Sequence, residues 1–121
     1  MKFARKFTGK TEMVAMNGSY HGKTLGALSI TFNPKYRKAF KPLVEKVSFS
    51  PFGDIEKLRE TVNDQTAFVI LEPIQGESGI HVAPDGFLQD VRKLCDEKNI
   101  LLIYDEIQAG LGRTGKMWAH Q

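Results

Sequence analysis

Short apolar runs alternate along the chain with amphipathic stretches, a pattern that predicts alternating β-strands and α-helices. Alternation of apolar and polar residues predicts a strand at residues 44–49, and apolar runs predict strands at residues 13–16, 67–71 and 100–104. The last two runs are apolar at every position, which is typical of strands buried on both faces of a parallel sheet. Each of these two runs stops at an acidic residue, Glu72 or Asp105.

Apolar side chains spaced three and four residues apart predict helices before and between these strands. Helices are expected at residues 2–8, 22–30, 54–62 and 85–98. Asp54 is a good N-cap for the third of them. Residues 33–43 contain two prolines and predict an extended segment instead.

The order strand, helix, strand, helix, strand predicts an α/β fold with a mostly parallel sheet flanked by helices. In such sheets, ligands bind outside the carboxyl ends of the strands. Glu72 follows one buried strand, and Asp105 and Glu106 follow the next. We therefore expect carboxylates at the ligand-binding edge of the sheet.

Composition narrows the class of protein without identifying it. With 121 residues, of which 41% are hydrophobic and 26% charged, the chain has the make-up of one globular domain. No apolar run could cross a membrane and no signal peptide is present, so we expect a cytoplasmic protein without a membrane partner. A net charge of +3 without any nucleic-acid-binding motif predicts no nucleic acid partner. The single cysteine, Cys95, excludes an internal disulfide.

Asp105 admits several interpretations on spacing alone. A carboxylate at the end of a buried strand is costly unless it is paired. It could cap the next loop, form a catalytic acid pair with Glu72, Glu77 or Glu106, or hold a cationic ring nitrogen. We predict no metal site, because the three histidines lack ligand spacing.

Two glycine-framed segments also leave alternatives open. Residues 110–116 read GLGRTGK, which could approach a phosphate but lacks the spacing of a Walker loop; a tight loop is the other explanation. Residues 18–24 place Tyr20 beside His21 after a short strand. Tyr20 could stack on a planar ligand or be a partly buried turn residue.

Three segments, taken together, resemble the class III aminotransferases, which are pyridoxal-phosphate (PLP) enzymes of fold type I. They read YHGKTLGAL at residues 20–28, EPIQGE at 72–77 and LIYDEIQAGLGRTGK at 102–116. Residues 35–43, KYRKAFKPL, resemble the acetylornithine aminotransferase branch and the related putrescine aminotransferases. The resemblance implies that residues 1–121 are part of the large PLP-binding domain.

The resemblance assigns four residues to the cofactor. Asp105 matches the aspartate that pairs with the pyridine nitrogen of PLP, where a buried carboxylate keeps the nitrogen protonated. Gln108 matches the residue that bonds the phenolic oxygen of the ring. Tyr20 and Ile107 match the residues that contact its two faces.

Three further residues match positions near the substrate. Glu77 matches an acidic residue at the substrate entrance, and Glu72 is expected just behind the cofactor residues. Lys23 stands where the acetylornithine branch has an arginine for a substrate carboxylate, so the charge is kept but the bidentate fork is lost. Ser78 replaces a glycine, which we interpret as a minor change.

The resemblance also implies that part of the active site lies outside this chain. The phosphate-binding loop of the family would precede Met1, and its Schiff-base lysine would follow Gln121. Neither Lys23 nor Lys116 follows a predicted strand in the required place. We therefore expect no catalytic residue among the 121 and no activity from the isolated chain.

The function implied for the parent protein is transfer of a terminal amino group from a small amine donor to 2-oxoglutarate, a 2-oxo acid. The acetylornithine or aminoadipate-semialdehyde type is the leading expectation, with a homodimer as the assembly. A diamine transaminase of the putrescine type is an alternative within the family. A non-catalytic remnant with only a binding or structural role is an alternative outside it.

Overall fold

The structure is a computed structural model that describes residues 1–121. Six strands and five α-helices follow one another in this order: α1 Lys2–Thr8, β1 Glu12–Met16, α2 Leu25–Ser29, α3 Pro34–Arg37, β2 Val47–Ser50, α4 Ile55–Thr61, β3 Thr66–Leu71, β4 Ile74–Gln75, β5 His81–Val82, α5 Phe87–Glu97 and β6 Leu101–Tyr104. One turn of 3₁₀-helix, Lys38–Phe40, lies between α3 and β2.

Four strands form one parallel sheet in the order β2-β1-β3-β6. The predicted α/β class with a parallel sheet is thereby confirmed. All six residues of β3 are buried, as expected for a central strand covered on both faces. The residues of β6, at one edge of the sheet, are each partly exposed.

The two faces of the sheet carry separate hydrophobic clusters. Successive side chains of a strand point to opposite faces, so Val14 and Met16 pack with α4 and α5, while Met13 and Ala15 pack on the side of α1. Helix α5 buries its apolar stripe against the first of these faces: Phe87, Val91, Leu94 and Cys95. Cys95 is a free cysteine that is buried in this cluster and packs there.

Local features of the chain explain where α2 and α4 begin. The Asp54 side chain accepts a hydrogen bond from the backbone N–H of Lys57 at 2.9 Å, which confirms it as the N-cap of α4. Helix α2 begins at Leu25 and not at residue 22 as predicted, because Gly22 has a φ of +116° that no helix accepts.

The extended segment predicted at residues 33–43 is wrong. Pro34 occupies the first position of α3, where its missing N–H and fixed φ favour a helix start. The Asn33 side chain accepts from the backbone N–H of Lys35 at 2.9 Å and caps the turn. The short antiparallel pair of β4 and β5 was not predicted, because two-residue strands carry no periodicity.

The strand order places a topological switch point between β1 and β3. The chain leaving β1 returns through β2 on one side, whereas the chain leaving β3 returns through β6 on the other. A crevice opens at the carboxyl ends of two such strands, where α/β proteins bind ligands. The longest helix, α5, has 11 residues, and none of the helices could cross a membrane.

Candidate functional site

The segments that follow β1, β3 and β6 converge on one cleft at this switch point, with a volume of about 110 Å³. We call it the Asp105 cleft. Its lining consists of Tyr20, His21, Gly22, Glu72, Ile74, Asp105, Ile107 and Gln108. The four residues assigned to the cofactor are thus brought together, and Glu72 joins them.

Three hydrogen bonds hold Asp105 in the cleft. Its backbone N–H donates to the carbonyl of Leu71 at 2.9 Å, which ties it to the end of β3. Its Oδ1 accepts from the backbone N–H of Ile107 at 3.2 Å, and its Oδ2 lies 2.7 Å from Nδ1 of His21. Burial raises the pKa of Asp105, but the hydrogen bonds from His21 and Ile107 and the charge of His21 outweigh it and hold the pKa below its ordinary value. The carboxylate is therefore ionised.

His21 was not predicted as a functional residue, yet it is the direct partner of Asp105. Its side chain is 2% exposed, and its backbone N–H donates to the hydroxyl of Thr31 at 2.9 Å. Because an ionised carboxylate only accepts, the shared proton belongs to Nδ1. The other ring nitrogen, Nε2, is buried without a hydrogen-bond partner in the protein. The one sequence signal for His21 was its place beside Tyr20 between two glycines.

Glu72 joins the segments after β1 and β3. It is 4% exposed, and its two oxygens accept from the backbone N–H groups of Tyr20 at 2.8 Å and Gly76 at 3.3 Å. Burial is the largest influence and raises the pKa of Glu72, although both N–H groups and His21 oppose it. Glu72 therefore ties the backbone at Tyr20, in the segment after β1, to the backbone at Gly76, in the segment after β3.

Gln108 lies across the cleft against Glu77 and Gly76. Its Nε2 donates to Oε1 of Glu77 at 3.3 Å. A Cβ on Gly76 would overlap the side-chain amide of Gln108, so glycine is required for this close approach. Ile107, beside it, exposes 92% of its surface, which leaves an apolar side chain unpaired at the rim of a polar cleft.

Lys23 does not line the Asp105 cleft. Its ammonium nitrogen lies 5.5 Å from the centre of the Tyr36 ring, and the Tyr36 ring makes an edge contact with Tyr20 at 5.7 Å between centroids. The two residues expected near a substrate, Lys23 and Glu77, are thus both exposed and lie outside the ring of Asp105 partners.

Glu106 does not join the other carboxylates. It accepts from the backbone N–H groups of Ala119 at 2.8 Å and His120 at 3.0 Å, and it lies 2.7 Å from Nδ1 of His120. The glycine-rich residues 110–116 that it encloses form tight turns, with positive φ at Gly112 and Gly115. This favours the tight-loop interpretation of that segment and removes Glu106 from an acid pair with Asp105.

Comparison with a family model places the whole chain in one known family. The model described as aminotransferase class-III matches residues 1–121. Acetylornithine aminotransferase of Methanopyrus kandleri is 49% identical over 121 residues, which are 100% of this chain and 31% of that protein. Ornithine aminotransferase 1 of Staphylococcus saprophyticus is 50% identical over 127 aligned positions, covering 98% of this chain and 32% of that protein.

Solved structures of the same kind superpose closely. Ornithine aminotransferase of Toxoplasma gondii matches with a TM-score of 0.92 at 34% identity, over 98% of this chain and 30% of that one. An amine transaminase from an uncultivated Pseudomonas species, in its PLP-bound form, matches with a TM-score of 0.92 at 29% identity, over 98% and 33%. The chain therefore spans about a third of the length of the proteins it matches.

Proposed function

This chain belongs to the class III aminotransferases, and from that premise we propose that the full-length protein is a PLP-dependent enzyme that transfers a terminal amino group to 2-oxoglutarate. The observation that carries the proposal is the hydrogen bond between His21 and Asp105 at the switch point of a parallel sheet, which keeps the Asp105 carboxylate ionised. We place the substrate in the acetylornithine or aminoadipate-semialdehyde class. We also propose that the full-length protein is a homodimer in the cytoplasm.

The hydrogen-bonding groups and the packing surfaces of the Asp105 cleft fit the ring of PLP. A protonated pyridine nitrogen is a cationic donor, and Asp105 offers an ionised acceptor with one oxygen already oriented by His21. Gln108 offers an amide donor for the phenolic oxygen, and Tyr20 and Ile107 offer an aromatic and an aliphatic surface for the two ring faces. When bound, PLP supplies an electron-poor ring that takes up the electrons released at the substrate carbon.

The residues of this chain would hold a proton on the bound cofactor and orient the groups around it. With PLP bound, Asp105 would keep the proton on the ring nitrogen, because the pKa of the carboxyl group is held below its ordinary value. His21 orients the carboxylate through Oδ2, and Glu72 fixes the backbone of Tyr20. Glu77 accepts from Gln108 and orients the amide, and we propose that it also lies at the substrate entrance. No lysine lines the cleft, so we propose that the amine that binds the cofactor aldehyde is not among these 121 residues and that the isolated chain is inactive.

A diamine transaminase is the second candidate. The observation that favours it is Lys23 in place of an arginine, because a single ammonium group cannot form the bidentate pair with a substrate carboxylate. The two candidates differ in whether the amine donor carries a carboxylate.

The test is an assay of the full-length protein for glutamate formed from 2-oxoglutarate, with N-acetylornithine, ornithine or putrescine as the amine donor. The variant Asp105→Asn keeps the shape and removes the charge, and we expect a loss in kcat of about 10²–10³-fold, as for other preorganised electrostatic groups. Asp85→Asn, at an exposed position that does not line the cleft, is the matched control and should keep full activity. Equal activity of the Asp105→Asn variant and the unmodified protein would refute the assignment of Asp105.

A further inference from the structure

Thr31 is a fully buried polar residue that lies two positions beyond the end of α2. A buried hydroxyl group is costly unless it is hydrogen-bonded. The hydrogen bonds of this hydroxyl lead, through His21, to the Asp105 cleft.

Three polar groups surround the Thr31 hydroxyl. It accepts a hydrogen bond from the backbone N–H of His21 at 2.9 Å. Its own proton lies within reach of two carbonyl oxygens, that of Ala27 at 3.1 Å and that of Gly22 at 3.2 Å. Since a hydroxyl group has one proton to donate and two lone pairs that accept, it is satisfied in both roles. The Thr31 side chain thus joins the end of α2 to the backbone of His21 and Gly22.

The hydrogen bonds of Ser19 hold the start of the same segment against the end of α2. The Ser19 hydroxyl donates to the carbonyl of Ile30 at 3.0 Å, and the Ser19 carbonyl accepts from the backbone N–H of Phe32 at 2.9 Å. Neither bond involves the Thr31 side chain. We therefore expect removal of the Thr31 hydroxyl to act on the backbone at His21 and to leave the rest of the segment attached.

The position of the His21 backbone decides where the imidazole lies. Nδ1 of His21 lies 2.7 Å from Oδ2 of Asp105, and the histidine side chain is almost completely buried. A short hydrogen bond to a carboxylate is a strong one, and it weakens as the donor and the acceptor are displaced from this geometry. Two hydrogen bonds in series therefore connect Thr31 with Asp105.

We propose that Thr31 is a positioning residue of the cofactor site, whose hydroxyl holds the backbone of His21 so that the imidazole meets the Asp105 carboxylate. Thr31 does not line the Asp105 cleft, so its effect is exerted through His21. This inference rests on the proposed function, because it gives Thr31 a part in holding the residue that would bind the ring nitrogen of the cofactor.

Ser29 provides a matched control, because its hydroxyl is equally buried in the same part of the chain and does not contact His21. The Ser29 hydroxyl accepts from the backbone N–H of Val44 at 2.9 Å and donates to the carbonyl four residues earlier. Thr31 has the same pattern, with the N–H of His21 in place of the N–H of Val44. Thr31→Val and Ser29→Ala should both lower stability, since each leaves a backbone N–H without its acceptor. Of the two, only Thr31→Val should act on His21.

The first test follows the imidazole Nδ1 proton of His21 by NMR in the full-length protein, without added substrate. A proton in a short bond to a carboxylate resonates far downfield, and its absence in His21→Leu identifies the signal. In Thr31→Val, which keeps the shape and removes the hydroxyl, we expect the resonance to move upfield or to be lost through exchange with water. The resonance should stay in place in Thr31→Ser and in Ser29→Ala. Thr31→Cys, which has only a weak acceptor in place of the hydroxyl, makes the same comparison if the valine variant does not fold.

The second test measures kcat/KM of the PLP-loaded full-length protein with 2-oxoglutarate and the best donor among N-acetylornithine, ornithine and putrescine. Thr31→Val should lower kcat/KM about fivefold, the equivalent of one hydrogen bond between uncharged groups. In a His21→Leu background, the same change should lower kcat/KM by less than about twofold, because the imidazole through which Thr31 acts is gone.

An unchanged resonance in Thr31→Val, or an equal shift in Ser29→Ala, would overturn the role of Thr31. An equal loss of kcat/KM with and without the imidazole of His21 would overturn it as well. A full-length protein that transfers the amino group of none of the three donors would instead overturn the proposed function, and the resonance would still report whether Thr31 positions His21.

Discussion

His21 Nδ1 lies 2.7 Å from Asp105 Oδ2, although the two residues are 84 positions apart in the chain. The histidine side chain is 2% exposed and the aspartate side chain 16%. A contact of this length between a buried imidazole and a carboxylate gives Asp105 a defined orientation and keeps its pKa low. The segments after β1 and β6 meet through this pair.

Replacing His21 by leucine should move the acid limb of the pH–activity profile to higher pH. The pKa of Asp105 is below its ordinary value because of His21 and Ile107, against the opposing effect of burial. Without His21, the pKa of Asp105 rises, because one of the hydrogen bonds that oppose the effect of burial is lost. Asp105 then loses its charge at a higher pH. We also expect kcat/KM at neutral pH to fall roughly tenfold, the equivalent of one hydrogen bond to a charged group.

The chain offers a matched control for this change. His120 and Glu106 form a second histidine–carboxylate contact, also of 2.7 Å, outside the Asp105 cleft. His120→Leu should leave the acid limb where it is. A shift of equal size in both variants would mean that loss of stability, and not the state of Asp105, moves the profile.

The variants Glu72→Gln and Glu106→Gln should change the pH dependence of stability in opposite directions. Burial raises the pKa of Glu72 in the folded chain, so the folded state binds more protons than the unfolded state above about pH 4.5, and stability falls as the pH rises through the folded pKa. Burial also raises the pKa of Glu106, but the hydrogen bonds from Ala119 and His120 lower it by more, so the pKa in the folded chain is below the ordinary value. The contribution of Glu106 to stability is therefore present above pH 4.5 and lost as the pH falls.

Urea unfolding followed by circular dichroism at a series of pH values between 3 and 8 measures this difference. Relative to the unmodified chain, Glu72→Gln should gain stability as the pH rises, and Glu106→Gln should lose it. Parallel curves for the two variants would contradict the opposite environments of the two carboxylates.

Substituting Gly76 by alanine should disturb the cleft more than the fold. The added Cβ would overlap the side-chain amide of Gln108, which is free to turn away because it is a flexible side chain at the surface of the cleft. Turning away breaks the 3.3 Å hydrogen bond from Gln108 to Glu77. The side-chain amide resonances of Gln108 in an NMR spectrum should therefore shift.

Gly26→Ala is the matched control for that change. Its Cβ would meet only Met1, at 3.6 Å, and Gly26 lies inside α2 with an ordinary φ. Alanine inside a helix should stabilise the chain by about 0.5–1 kcal/mol and leave the Gln108 resonances in place. Unchanged Gln108 resonances in Gly76→Ala would show that the close approach of these two residues is not a constraint in solution.

Truncating Leu58 to alanine should cost about 2–5 kcal/mol of unfolding free energy. Leu58 is fully buried and packs in the cluster between α4, α5 and the sheet. The comparison is Phe3→Ala, where a larger side chain is 92% exposed and we expect a change within about 0.5 kcal/mol. Similar losses for the two variants, measured by chemical denaturation, would contradict the position of the core.

Much of the site could be predicted from the sequence, because its residues belong to short contiguous segments. Asp105 and Glu72 each follow an apolar run, and parallel strands bring their carboxyl ends to one edge of a sheet. The segment 33–43 could not be predicted in the same way. There, the two prolines predict an extended chain, whereas Asn33 and Pro34 together start a helical turn.

By itself, the sequence determined the α/β class, the parallel sheet, the family and the identity of most residues around Asp105. Those features depend on periodicity and on local motifs, which are properties of neighbouring residues. The tertiary structure decided that His21 is the partner of Asp105, that Glu106 binds His120 instead, and that Tyr36 stands between Tyr20 and Lys23. Those pairings depend on the order of the strands in the sheet and on the directions of the side chains. Neither can be predicted from the spacing of residues along the chain.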